Sequence, residues 1–225
     1  MRDAVFNQPV PLKDHAGVYA LAGSLNMSNY VDVEGSGENT TKIVYNGGVV
    51  VNCAPYSEIR DLTVESTGGV ASVFGIYASN DDFMKITNVT VNVSGGTTSS
   101  YGVYHSSSPA TTLTLTDVVI NASGSGTYAY AVMNSGSTNL IMDHVTAMAS
   151  GTATSVTALR NGSSTSYATV KDSFLSGTAA INISGGLVKV ANSELSGMAT
   201  SLYITCINSY KFNGTAYAAL SGSCQ

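Results

Sequence analysis

The sequence predicts an all-β fold, a right-handed parallel β-helix (solenoid) of roughly seven or eight stacked coils. Three observations lead there. The surface must be built from Ser, Thr, Asn and Gly instead of charge, a short phrase recurs every 20 to 29 residues, and apolar residues alternate in period two within each copy.

Of 225 residues only 9 are basic and 14 acidic, against 23 glycines, while 44% are apolar. Helical proteins cover themselves with Lys and Glu, whereas Ser, Thr, Asn and Gly suit strands and turns. The apolar share is ample for a core, which excludes disorder, and the length suits one domain. That domain runs over 1–225, with a lead-in at 1–16, coils at 17–212 and a C-terminal tail at 213–225. A net charge of −5 without any Lys/Arg cluster removes the electrostatic attraction that nucleic acid or an anionic membrane needs. No stretch approaches the roughly 18 apolar residues of a membrane span, so no membrane insertion is expected. The start, Met1 to Phe6, leads into polar residues and prolines instead of a hydrophobic signal core.

The recurring phrase is apolar-x-Asn/Asp-x-x-apolar. It is clearest at Ile59-Arg60-Asp61-Leu62-Thr63-Val64, Ile86-Thr87-Asn88-Val89-Thr90-Val91 and Leu115-Thr116-Asp117-Val118-Val119-Ile120. Weaker copies place Asp143, Asp172 and Asn192 at the same position, and the spacings are 27, 29, 26, 29 and 20 residues. A second phrase, small-apolar-x, keeps step with it at Gly75-Ile76-Tyr77, Gly102-Val103-Tyr104, Ala131-Val132-Met133, Ala158-Leu159-Arg160 and Ala180-Ile181-Asn182. Between copies lie breaks such as Ser94-Gly95-Gly96-Thr97-Thr98, which mark the loops. A β-propeller blade needs about 40 residues, so these coils are too short for one. At about 4.8 Å per coil the rod is on the order of 35 Å long.

Equivalent positions stack, so Asp61, Asn88, Asp117, Asp143, Asp172 and Asn192 are expected to form a structural column. A short polar side chain at a bend accepts backbone N–H bonds, the role expected here in preference to holding Ca²⁺, which needs more converging oxygens than a linear column supplies. Residues following the buried aliphatics, Tyr77, Tyr104, Met133, Arg160, Asn182 and Tyr203, are expected on the outer face, with Ile76, Val103, Val132, Leu159, Ile181 and Leu202 inside. Such tyrosines suit either stacking on sugar rings or packing against one another between coils. Three cysteines remain: Cys53, and Cys206 and Cys224, which are either a disulfide pinning the tail or, with Cys53, buried thiols.

The segment from Tyr30 to Ile43, containing Val31-Asp32-Val33-Glu34-Gly35, followed by Glu58-Ile59-Arg60-Asp61-Leu62-Thr63-Val64, resembles the first coils of the pectin-lyase-like superfamily. More narrowly it is similar to secreted bacterial right-handed β-helix repeat proteins, over about residues 17 to 212. The resemblance implies an extracellular or cell-surface location. It leaves activity open, because the superfamily places lyases, hydrolases, esterases, adhesins and tailspikes on one scaffold. Members usually begin with a capping helix, which residues 1–16, with Pro9 and Pro11, do not read as; the chain is then a fragment, or a partner covers its first coil.

Asp81-Asp82 echoes the paired aspartates of polygalacturonase relatives, but the Asn-Thr-Asp, Gly-His-Gly and Arg-Ile-Lys motifs of that family are missing. Arg60, Lys85, Arg160, Lys171 and Lys189 are scattered, so no lyase-type base beside a Ca²⁺ cluster can be assembled. Asp143 and His144 would meet only through a bend. No catalytic residue, metal or cofactor is therefore expected. The function that follows is a non-catalytic module, binding an extended glycan or a neighbouring protein along the outward stripe Tyr77, Tyr104, Met133, Arg160 and Tyr203, or serving as a spacer. The alternatives are a polysaccharide lyase or hydrolase, and a structural subunit that associates end to end or laterally into filaments.

Overall fold

The computed structural model describes residues 10–13, 15–79, 83–200, 203–212 and 217–223. Among these the regular elements are all β-strands, and no helix is long and apolar enough to cross a membrane. The strands wind as a right-handed parallel β-helix with three faces per coil. The first face stacks Val31–Glu34, 58–60, 84–87, 113–116, 139–143, Tyr167–Lys171, Leu187–Ala191 and 204–207. After a loop at 35–40 in the first coil, and a bend at one left-handed residue from Asp61 onward, the second face stacks Thr41–Val44, 63–66, 89–93, 118–124, Thr146–Gly151, 174–176 and 194–196. The third stacks Leu25–Asn26, Val49–Asn52, Ser72–Ser79, 99–107, 128–136, Ser155–Asn161, 179–183 and 198–200.

Alternation along each strand sends every second residue inward, and stacking repeats that residue in each coil. The result is three apolar columns that meet in one core. Ile59, Ile86, Leu115, Met142, Val170 and Val190 come from the first face, Val64, Val91, Ile120, Ala147 and Leu175 from the second, and Ile76, Val103, Val132, Leu159 and Ile181 from the third. Each large aliphatic is fully buried and contributes about 1.5–3 kcal/mol.

Two boundaries differ from the sequence reading. Stacking begins before residue 17, because Val10–Lys13 already pairs with Val31–Glu34. It continues past residue 212, where Tyr217–Ser223 returns antiparallel along Ile204–Phe212, reversing the direction kept by every other described pairing.

The bend between the first and second faces is a column of left-handed residues: Asp61, Asn88, Asp117, His144, Asp172, Asn192 and Asn208, with φ between 47° and 57°. Short polar residues tolerate this conformation, which costs most others about 1–2 kcal/mol. Asp143 is not a member. Burial of Met142 opposite Leu115 shifts that coil by one, so Asp143 pairs with Thr116 on the outer surface and His144 takes the bend. The side chains also bond differently from expectation. Backbone N–H groups of His144, Asp172 and Asn192 donate to Lys171, Ala191 and Ile207 carbonyls in the next coil. With those donors satisfied, side chains bond to each other: Asn88 Nδ2 donates to Asp61 Oδ1 at 2.6 Å, and Asn192 bonds Asp172.

Candidate functional site

At the corner where the third face turns into the first, three successive coils place an aromatic residue in the left-handed conformation: Tyr30 (φ 62°), Tyr56 (59°) and Phe83 (53°). The rings stack in a column, Tyr30 on Tyr56 at 5.0 Å and 5°, Tyr56 on Phe83 at 5.7 Å and 26°. Bulky residues are rare at positive φ, where glycine or asparagine would sit without strain. Each such residue costs about 1–2 kcal/mol, and each ring pair returns about 0.5–1.5 kcal/mol. On these terms the strain outweighs what the stacking returns, and what the column supplies is the rings themselves. Phe83 gives one ring face to Tyr56 and is 63% exposed, which leaves the opposite face turned to solvent.

Beside this column the outward positions of the first face carry charge. Arg60 gathers three carboxylates from adjacent coils: Nη2 lies 2.8 Å from Glu34 Oε2, and Nη1 lies 2.9 Å from Glu58 Oε2 and 3.3 Å from Asp32 Oδ2. The hydrogen bond to Glu34 is the main reason that the guanidinium is held above its ordinary range, with partial burial opposing it. Asp32, with a side chain only 8% exposed, also accepts the Glu58 backbone N–H at 2.8 Å, and Glu58 Oε1 accepts the Thr87 hydroxyl. Lys85 stands next in register to Glu58 and is exposed. Tyr30, Asp32, Tyr56, Ser57, Glu58, Phe83 and Lys85 line a cavity of about 380 Å³.

Chemically, the Asp32 and Glu58 carboxylates are already engaged as acceptors, so they act as a rigid polar floor. The groups left to meet a ligand are the Phe83 ring face, the Lys85 ammonium and the tyrosine hydroxyls. The sequence reading took Arg60 and Lys85 as scattered, but stacking brings them to one place. The signal was an aromatic-x-charged phrase, Tyr30-Val31-Asp32, Tyr56-Ser57-Glu58 and Phe83-Met84-Lys85, spaced by 26 and 27 residues, one coil each.

The outward stripe also forms. Asn26, Asn52, Tyr77, Tyr104, Met133, Arg160, Asn182 and Thr200 follow one another in register. Tyr203 is not in it: Thr200 takes the place opposite Asn182, and Tyr203 lies at the corner before Ile204, 59% exposed. Leu202 lies outside the described residues. Tyr77 and Tyr104 stack on each other at 5.3 Å and 7°, and both pack edge-on against Phe74. Tyr101 stacks on Phe74 and touches Tyr104 and Tyr130, and burial there pushes its hydroxyl pKa up. These rings thus pack between coils and leave little open face for a sugar. Arg160 donates to Asn182.

Asp143 and His144 do meet through the bend, with Nδ1 2.9 Å from Oδ1. That carboxylate oxygen is buried, and the approach lacks the direction of a hydrogen bond. Ligand atoms of Asp143, His144 and Asp172 lie within 4.8 Å of one another, but the Lys171 ammonium stands 3.0 Å from Asp172 and 3.6 Å from Asp143, where a cation would sit. Its hydrogen bond holds Asp172 below the ordinary carboxylate range. His105 is buried between Asn134 and Thr111, at 3.1 Å from each, and Asn134 continues to Asn161 at 2.8 Å. Burial pulls the His105 pKa down to about 4 against the opposing Asn134 bond. Cys206 is disulfide-bonded and Cys53 is a buried thiol outside any disulfide. Cys224 and the Asp81-Asp82 pair lie outside the described residues.

The right-handed parallel β-helix is a fold that the chain shares with solved pectin methylesterases. Among solved structures the chain is similar to pectin methylesterase PemA from Erwinia chrysanthemi, with a TM-score of 0.61, 10% identity, and coverage of 98% of this chain and 85% of that one. A pectin methylesterase in complex with a hexasaccharide matches with a TM-score of 0.58 at 9% identity, covering 96% of this chain and 84% of that one. The rice weevil pectin methyl esterase follows at 0.53 and 13%, covering 97% and 77%. At these identities the likeness is one of fold. No family model matches the chain, and no curated protein matches it in sequence.

Proposed function

We propose that this chain is a non-catalytic carbohydrate-binding β-helix module acting outside the cell or at its surface, with its saccharide site at the Tyr30–Tyr56–Phe83 corner. One observation carries the reading: three successive coils keep an aromatic ring at a strained left-handed position, and the last leaves a ring face open above a polar, charged floor. Backbone strain retained where glycine would relieve it points to use of the side chain. An open ring face beside hydroxyls and an ammonium suits a pyranose, which has an apolar face and a polar rim. The disulfide at Cys206 fits an oxidising compartment. The known ability of a protein of this fold to hold a hexasaccharide supports the class of ligand. A glycan array followed by calorimetry tests it: Phe83→Ala is expected to weaken binding about tenfold, and Phe83→Tyr to retain it. Equal binding by Phe83→Ala sinks the assignment.

A second reading, an enzyme acting on polysaccharide, is favoured by one arrangement: Asp32 and Glu58, from neighbouring coils, share Arg60 beside the same cavity. Incubation with pectin, alginate and bacterial capsule, monitored for methanol and for reducing or unsaturated ends, separates the two. Product release that Glu58→Gln abolishes establishes the enzyme and overturns the module.

A further inference from the structure

The corner that carries the aromatic column continues along the rod. In register above Phe83 come Thr112, Asn139, Tyr167, Leu187 and Tyr203, one per coil. Tyr167 is 54% exposed and Tyr203 59%, and together with Leu187 they line a second cavity of about 410 Å³, floored by Gly185 and Gly186 and edged by Ser164 and Ser184. The floor admits nothing larger than glycine: a Cβ on Gly186, at φ +76°, would lie 1.8 Å from the Ser166 carbonyl oxygen. Beside Tyr167 a further hollow of about 270 Å³ spans three coils, lined by Asn139, Tyr167 and Lys189. Exposed rings, small polar side chains and a glycine floor thus recur on the line that leads away from the open face of Phe83.

We propose that this corner holds a second saccharide platform, centred on Tyr167, and that one unbranched glycan running parallel to the rod axis engages both platforms at once. The inference rests on the saccharide reading of the Phe83 pocket and adds the form and direction of its ligand. Three register steps of about 4.8 Å separate Phe83 from Tyr167, roughly 14 Å. An extended pyranose chain advances by roughly one coil height per sugar, so a disaccharide covers one platform and a hexasaccharide reaches both. Occupying the second platform from a chain already held at the first is an intramolecular step, which raises affinity without any new type of contact.

Calorimetry with di- and hexasaccharides derived from cellulose, chitin and pectin tests this on the full chain. The disaccharide of the binding series is expected to load two per chain, and the hexasaccharide one per chain with at least tenfold tighter affinity. Tyr167→Ala is expected to reduce disaccharide loading to one and to remove the hexasaccharide gain, while Tyr167→Phe keeps both; an unchanged circular dichroism spectrum checks that each variant folds. If the disaccharide loads only one per chain, in a manner lost with Phe83→Ala, and the hexasaccharide binds no tighter, the second platform is refuted while the first pocket stands. If neither sugar binds, both fall.

Discussion

Asn88 donates its side-chain amide to the Asp61 carboxylate one coil below, at 2.6 Å, and both residues hold left-handed backbone. Two effects therefore meet at residue 88. Asn88→Ala loses the bond and adds the strain that asparagine tolerates, an expected cost of about 2 kcal/mol, while Asn88→Gly loses the bond without adding strain, at about 1 kcal/mol. Urea unfolding ranks the two variants, and an alanine no worse than glycine would show that the bend carries no backbone strain.

Acid should weaken the fold through His105. Its pKa is about 4 in the folded chain and 6.5 in the unfolded one, so between these values the unfolded chain binds more protons. The stabilisation is complete above about pH 6.5, falls as pH drops, and is lost by about pH 4, a total of about 3 kcal/mol. Denaturation midpoints measured across this window should slope downward toward acid, and His105→Gln should flatten the slope.

Gly102 faces Ile120 across the core, where a Cβ would lie 2.3 Å from Ile120 Cγ2 and 2.6 Å from the Ala131 carbonyl oxygen. One coil up, the matching pair is Ala131 and Ala147, both buried. Gly102→Ala is expected to cost about 1–3 kcal/mol by overpacking. Combined with Ile120→Ala, it should cost less than the two singles added together, by about 1 kcal/mol. Strict additivity in a double-mutant cycle would contradict that pairing of volumes.

Tyr104 sits between Tyr77, Phe74 and Tyr101. Tyr104→Ala should lower stability by about 2 kcal/mol. Saccharide affinity at the Phe83 corner should not follow it. A variant that keeps its melting temperature and loses sugar binding would return the ligand to the third face.

The scaffold was legible because period-two burial and the Asx phrase are both local patterns, copied once per coil. The Asp143 placement failed because the weaker copy Ile141-Met142-Asp143 fits the phrase in the wrong frame, and only burial of Met142 against Leu115 fixes the frame. Tyr203 failed for a similar reason: Thr200 already stands opposite Asn182, which leaves Tyr203 for the next corner. The Tyr30–Tyr56–Phe83 column had a readable spacing but sits where asparagine or glycine is the expected occupant, so propensity argued against seeing it as a bend. Arg60 with Asp32, Glu34 and Glu58 spans two coils, and no local rule joins Arg60 to Asp32 and Glu34, 28 and 26 residues away.

The return strand Tyr217–Ser223 has a consequence for growth. A parallel solenoid is a template, since the last coil presents to a newcomer the same three-faced outline that it was itself laid upon, and identical units can extend such a stack as fibrils do. Here Tyr217–Ser223 runs backward along Ile204–Phe212. A strand approaching Ile204–Phe212 meets that reversed partner in place of an open parallel edge. The Ile204–Phe212 edge that would template another parallel strand is therefore already occupied, and by a strand of opposite direction.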